Sequence, residues 1–196
     1  AAQLEGRGQF VAVGVLVEDG LATPHAHALV ELLQAGVELA ELIAVVMTKY
    51  GSHSSVIGFG VDVEFYDADH DIGKAVTDAV ATSWLDTIHV FDAGDILMLK
   101  HFNPYLMPQC SVEDLLFIND TQGSTEDAIM AEYGEWADLL APGDAGFQIG
   151  YPVDESWWST YTNPPDELSD ALTAAHRNTA AVFWVDFSLS DVFTWN

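Results

Sequence analysis

Val56-Ile57-Gly58-Phe59-Gly60-Val61-Asp62-Val63-Glu64 is the stretch whose reading decides the fold. Side chains on a strand alternate between its two faces. The odd positions Ile57, Phe59, Val61 and Val63 are large and apolar, while the even positions run Gly58, Gly60, Asp62, Glu64, small first and acidic last. An open parallel sheet with helices on both faces needs both faces apolar. One apolar face and one small-then-polar face predicts instead a closed barrel, with helices outside and a crowded interior.

The neighbouring runs extend this pattern. Phe10–Val17, Ile96–His101, Leu115–Asn119, Phe147–Tyr151 and Ala181–Phe187 all have strand character, and Gly146, Gln148 and Gly150 share one face around Phe147. Helical segments lie between them near 24–49, 72–90, 125–140 and 165–177. Alternation at this spacing predicts βα units and a parallel sheet. The expected fold is an α/β (β/α) TIM-type barrel, complete or partial, with six strands and one domain over 1–196. A flavodoxin-like open sheet is the alternative. Because a full barrel has eight strands, the chain is expected to be the C-terminal portion of a longer barrel, or to have its edges at Phe10–Val17 and Ala181–Phe187 covered by another chain or copy, or by each other in a closure smaller than eight. Open edges would expose unpaired N–H and C=O groups.

The helices carry start signals. Ser124 with Asp127 forms a capping-box variant ahead of Ile129, Met130, Tyr133, Trp136 and Leu140 at helical spacing. Asn163-Pro164-Pro165-Asp166-Glu167 opens another helix, with acids at the positive end of its dipole. In the first helical segment Glu31, Gln34, Glu38 and Glu41 make a narrow polar stripe.

With 49% apolar residues over 196 positions, the chain can bury a full core. Its 31 acidic residues against 5 Lys and Arg leave a net charge of −26. Such a surface repels phosphate backbones and anionic lipid heads, which excludes nucleic acid and membrane surfaces as partners. Self-repulsion of this size is eased where salt screens it. A halophilic source and an acidic exterior are the two natural readings, the shortage of Lys (Lys49, Lys74 and Lys100) favouring the first, and the expected location is extracellular or cell-surface in a high-salt environment. The single Cys110 cannot form an internal disulfide and is expected in the core. The start at Ala1, without Met, reads as a processed or excised end.

Glu18, Asp62, Glu64, Lys100, Asn119 and Asp186 all fall at the C-terminal ends of their strands, the rim on which barrel enzymes build their sites. Asp62 and Glu64, two apart on one strand, point the same way with Cβ atoms roughly 7 Å apart. Carboxylates this close repel, so one holds its proton to higher pH, as a general acid requires. Lys100 is expected to pair with one of the acids, Glu64 among them. Tyr151-Pro152-Val153-Asp154-Glu155-Ser156-Trp157-Trp158 follows a strand and sets paired Trp beside acids, which suits either a sugar face or a loop packed onto the sheet. Asp67, Asp69 and Asp71 have the spacing with which a calcium loop begins, although the glycine at Gly73 is one place late and Asp78 holds the twelfth position. The alternative there is that Asp69 or Asp71 caps the following helix.

Gly58-Phe59-Gly60-Val61-Asp62-Val63-Glu64-Phe65 resembles the fourth-strand signature of the chitinase-like glycoside hydrolases, D-G-x-D-x-D-x-E-Y. Phe117-Ile118-Asn119-Asp120 is similar to the sixth-strand M-x-Y-D of that family, and Val182-Phe183-Trp184-Val185-Asp186 to its eighth-strand segment. The resemblance implies a (β/α)₈ barrel acting on N-acetylglucosamine polymers or glycans, with Glu64 as general acid/base, Asp62 orienting the acetamide and Trp184 flooring the sugar subsite. Ile57 and Gly60 stand where the signature has acids, and Asn119 where it has Tyr. The expected function is a glycosidase acting on an extracellular polysaccharide, without a resident cofactor. Substrate contacts are expected from Glu18, Lys100, Asn119, Asp120, Gln148, Tyr151, Asp154, Trp157, Trp184 and Asp186. The competing reading is a non-catalytic carbohydrate-binding or structural surface protein on the same barrel.

Overall fold

Strand and helix alternate along the chain because apolar residues recur at period two in some runs and at helical spacing in others. The computed structural model describes residues 11–13, 30–32, 38–54, 56–64, 73–109, 114–185 and 188–192. Its elements begin with β1 (Val11–Val13), β2 (Val30–Leu32), α1 (Leu39–Tyr50), β3 (Gly58–Asp62), α2 (Asp78–His89) and β4 (Ile96–Lys100). They continue with β5 (Leu115–Asn119), α3 (Glu126–Leu140), β6 (Asp144–Ile149), α4 (Glu155–Trp158), α5 (Pro164–Ala175), β7 (Thr179–Trp184) and α6 (Leu189–Val192). Five strands make a parallel sheet in the order β3-β4-β5-β6-β7, with no reversal of order among the described strands. The chain divides into two compact units, Ala1–Lys100 with Tyr105–Cys110 and His101–Pro104 with Ser111–Asn196.

In the first unit β3 and β4 run parallel in register, Phe59 opposite Leu97 and Val61 opposite Leu99, all four buried. The helices α1 and α2 pack together and bury Ile43, Val46 and Met47 from one, and Ala81, Trp84, Leu85 and Ile88 from the other. Thr77 caps α2, its side chain accepting from Val80 N–H at 3.3 Å. This corrects the expected cap at Asp69 or Asp71, positions that lie outside the described residues. Two further corrections concern the N-terminal third. The run Phe10–Val17 contributes Val11–Val13, which pairs antiparallel with Val30–Leu32 instead of adding a sixth parallel strand. Val30–Leu32 was expected inside a helix; three residues are too few for a helical and a strand period to be told apart. Helix α1 therefore starts at Leu39, with Glu38 in the N-cap position.

Asp95, at the start of β4, is 5% exposed, and its Oδ2 has no hydrogen-bond partner. Burial, with Asp92 adding repulsion and His89 acting the other way, raises its pKa from the ordinary aspartate value. A raised folded pKa contributes stability at low pH that is lost as pH rises through it. Asp95→Asn is therefore expected to stabilise the protein at neutral pH by about 1 kcal/mol, with the advantage vanishing in acid. Thermal unfolding of both proteins across pH checks this; a variant less stable at neutral pH would contradict it.

In the second unit the helices share one face of the sheet. Ala145, Phe147 and Ile149 of β6 are buried against Ile129, Tyr133 and Ala137 of α3 and Leu168 and Leu172 of α5. The opposite face carries Gly146, opposite Ile118 in the β5 register. A Cβ on Gly146 would lie 2.7 Å from the Phe183 ring, so β7 presses its ring onto a bare backbone. That need for glycine explains why β6 starts at Asp144, ahead of the expected Phe147: Asp144-Ala145-Gly146 lacks the bulky residues that mark a strand.

Helix ends follow partly local, partly distant rules. Asn163, Pro164 and Pro165 open α5 as expected, and Glu167 Oε1 accepts from Asn163 N–H at 2.8 Å and Thr162 N–H at 2.9 Å. Helix α3 begins after Thr125, one residue later than the Ser124 capping box predicts, so Asp127 falls one place short of the box position. Its far end is closed by Asn178, whose side-chain amide donates to Ala137 O at 3.0 Å and Gly143 O at 2.9 Å.

Candidate functional site

Polar side chains gather at the carboxyl ends of the parallel strands. In the first unit Asp62 closes β3 and Lys100 closes β4, directly opposite in register. Lys100 Nζ lies 2.6 Å from Asp62 Oδ2, with side-chain exposures of 22% and 5%. The expected pairing of Lys100 with one of the acids is met by Asp62, which the parallel register sets directly across from it. The strand ends at Asp62, and Glu64 lies in the turn beyond it, half-buried, its N–H donating to Asp62 Oδ1 at 3.2 Å. Val63 N–H still reaches Lys100 O at 2.9 Å, so the ladder holds the base of this turn. The arrangement holds one carboxylate against a cation in a dry setting and leaves the second beside it, partly open to solvent.

In the second unit Asn119, Asp120, Gln148, Tyr151 and Asp154 lie where β5 and β6 end. Asn119 is fully buried, at the register position of Phe147, on the helix-bearing face. Its Oδ1 accepts from Thr121 N–H at 2.7 Å, and its Nδ2 has no hydrogen-bond partner. The Thr121 hydroxyl bonds the Glu132 carboxylate of α3. Gln148 Nε2 donates to the Tyr151 hydroxyl at 2.5 Å. Tyr133, buried on α3 and stacked on Phe147 with centroids 4.6 Å apart, donates its hydroxyl to Gln148 O at 2.9 Å. Burial, followed by the charges of Asp154 and neighbouring groups, pushes its phenol well above the ordinary tyrosine range.

Asp154, 1% exposed, accepts from Gly123 N–H at 2.7 Å through Oδ1. Burial raises its pKa, with the backbone hydrogen bonds from Gly123 and Tyr151 acting in the opposite sense. Trp157 and Trp158 are both buried; the first donates its indole N–H to Gly123 O at 3.0 Å and the second to Tyr151 O at 3.3 Å. Of the two readings of this Trp pair, burial favours loop packing, since neither ring offers an open face. Trp184 meets Trp158 edge-on at 5.2 Å, and its N–H reaches Ser188 Oγ at 2.9 Å. The Ser188 hydroxyl in turn donates to Gly150 O at 2.5 Å.

Glu18, Asp186, Cys110 and the calcium-loop residues Asp67, Asp69 and Asp71 lie outside the described residues. Among the described residues no group of three His, Cys, Asp or Glu is placed to hold a metal ion. Among them, too, no helix is long and apolar enough to cross a membrane. Tyr133, Gly123 and Ser188 were not singled out from the sequence. Tyr133 was readable only as a core position of α3, and its hydroxyl was the one available hint. No family model, characterised protein or solved structure matches the chain. Fold and site together define a mixed α/β protein with a parallel sheet and polar groups at the carboxyl ends of its strands.

Proposed function

We propose that this protein is a glycoside hydrolase-like protein acting on an extracellular polysaccharide or glycan in a high-salt setting, on a barrel that is complete or completed by another chain. Glu64 is the general acid/base and Asp62 assists it. The observation that carries this reading is the Asp62–Lys100 ion pair at adjacent strand ends with Glu64 in the turn beyond. Open α/β sheets and barrels alike bind ligands at that end. A sequential strand order supports the barrel, because right-handed crossovers then carry every helix to one face and leave the other to close on itself.

Asp62, held by Lys100, is fixed in direction, so its carboxyl can accept a hydrogen bond from an acetamide N–H or from Glu64. Glu64 then protonates the glycosidic oxygen and afterwards draws a proton from water. Asp62 at the strand end and Glu64 two residues on in the turn lie on the same side of the site and do not make an opposed pair across a glycosidic bond, so the substrate's own acetamide oxygen is the internal nucleophile. It forms a bond to the anomeric carbon as the leaving oxygen departs with the Glu64 proton.

Glu64→Gln is expected to lower kcat on chitin oligosaccharides by about 10²–10⁴-fold with little change in KM. The second reading, binding without turnover, is favoured by the engagement of Asp62 with Lys100, which gives that carboxylate a structural role. Oligosaccharide binding with no turnover in either protein would select it.

A further inference from the structure

The loop between β5 and α3 is gripped at Gly123 from two sides. Its N–H donates to Asp154 Oδ1 and its carbonyl accepts the Trp157 indole N–H, at 2.7 and 3.0 Å. Both gripping side chains are set on one turn, because the Asp154 carbonyl accepts the N–H groups of Trp157 and Trp158 as α4 begins. The start of the loop is tied separately, through Thr121 to Asn119 and Glu132. Residues 120–125 therefore follow α4, and the Asp154 carboxyl is the one titratable contact in the grip.

That carboxyl is buried, and no cation among the described residues pairs with it. Asp154 acts on the Tyr133 phenol of α3, which also feels Tyr151 from the loop after β6, Asp120 after β5 and Glu132 of α3. Glu155 follows it on its own turn. Every one of these is neutral or negative; what favours an ionised Asp154 is the pair of backbone N–H groups of Gly123 and Tyr151, and burial outweighs them. We propose that Asp154 is a proton-dependent latch on the β5–α3 loop, closed when the carboxyl is protonated and loosened when it ionises.

The sign follows from solvation. An ionised carboxylate without a cation gains water when the loop opens, whereas the protonated acid loses little by staying buried and still offers Oδ1 to Gly123. The closed state thus binds the proton more tightly than the open one, consistent with the upward direction of the Asp154 pKa. Acid closes the loop; rising pH releases it. The inference stands on the second unit alone and is independent of the glycosidase reading.

Amide hydrogen exchange at Gly123, corrected for the intrinsic rate, tests it between about pH 4 and about pH 8. Protection in the wild-type protein is expected to fall with rising pH through the titration, by up to about tenfold per pH unit. Asp154→Asn keeps the acceptor without the charge, and its protection should not vary with pH. Trp157→Phe removes the other grip, so protection should drop at every pH while the slope remains. A flat wild-type profile, or an equally steep one in Asp154→Asn, overturns the latch. If Asp154→Asn does not fold, the Trp157→Phe profile decides in the same way, a retained slope supporting the latch and a flat one overturning it.

Discussion

Lys100→Met is expected to lower the stability of the folded protein by about 3 kcal/mol. The substitution leaves Asp62, 5% exposed, without the ammonium that sits 2.6 Å from its Oδ2. Removing one partner of a buried pair costs about 3–5 kcal/mol, because an uncompensated charge remains inside. The low end applies here, since Lys100 keeps 22% of its side chain in solvent. Replacing both partners, as Asp62→Leu with Lys100→Met, should recover most of the loss, because a hydrophobic pair of similar volume replaces both desolvation penalties. Denaturant unfolding of the single and double variants measures the cycle. A single variant within about 0.5 kcal/mol of wild type would mean that the pair behaves as an exposed surface bridge.

Gly58→Ala is the other large effect, expected at about 3 kcal/mol or more. Gly58 opens β3 with φ at +156°, and a Cβ there would lie 2.0 Å from the carbonyl oxygen of Ile96. That oxygen cannot move aside cheaply, because Ile96 belongs to β4 and its N–H is bonded to Ile57 O at 2.9 Å. A main-chain clash between two strands has to be relieved by parting them, at the end of the ladder whose far end carries Asp62 and Lys100. Gly94→Ala serves as the control. Its Cβ would meet nothing closer than Asp92 Oδ1 at 3.5 Å, and it should change stability by less than about 0.5 kcal/mol. Comparable melting temperatures for the two variants would refute the strand-crowding account.

Both effects concern residues that the sequence had already marked, though for different reasons. Gly58 stood out as a small residue on an alternating strand, and its neighbour in space, Ile96, was visible only as part of another run. The latch residues were less legible. The loop with Asp154 and Trp157 reads in the sequence as suited either to a sugar face or to packing on the sheet, but Gly123, 31 positions from Asp154 and the group that both of them hold, carries no mark. A hydrogen bond from an indole to a backbone carbonyl leaves no compositional trace.

What the sequence determined by itself is what neighbouring residues impose on one another. The alternation of Phe59, Val61 and Val63 with Gly58, Gly60 and Asp62 dictates a strand, and the spacing of Ile129, Tyr133, Trp136 and Leu140 dictates α3. The Asn163-Pro164-Pro165 start dictates α5. Backbone sterics and side-chain period act within a few residues, so such signals survive in one dimension. Tertiary structure alone decided that Lys100 meets Asp62, because the parallel register sets the two side by side at the ends of adjacent strands. It also decided that Trp157 and Trp158 pack inward, that Asn178 closes α3, and that Val30–Leu32 is a strand. Each of these depends on a partner far along the chain, brought near only when strands pair and helices dock, and a short segment carries no record of a partner it has yet to meet.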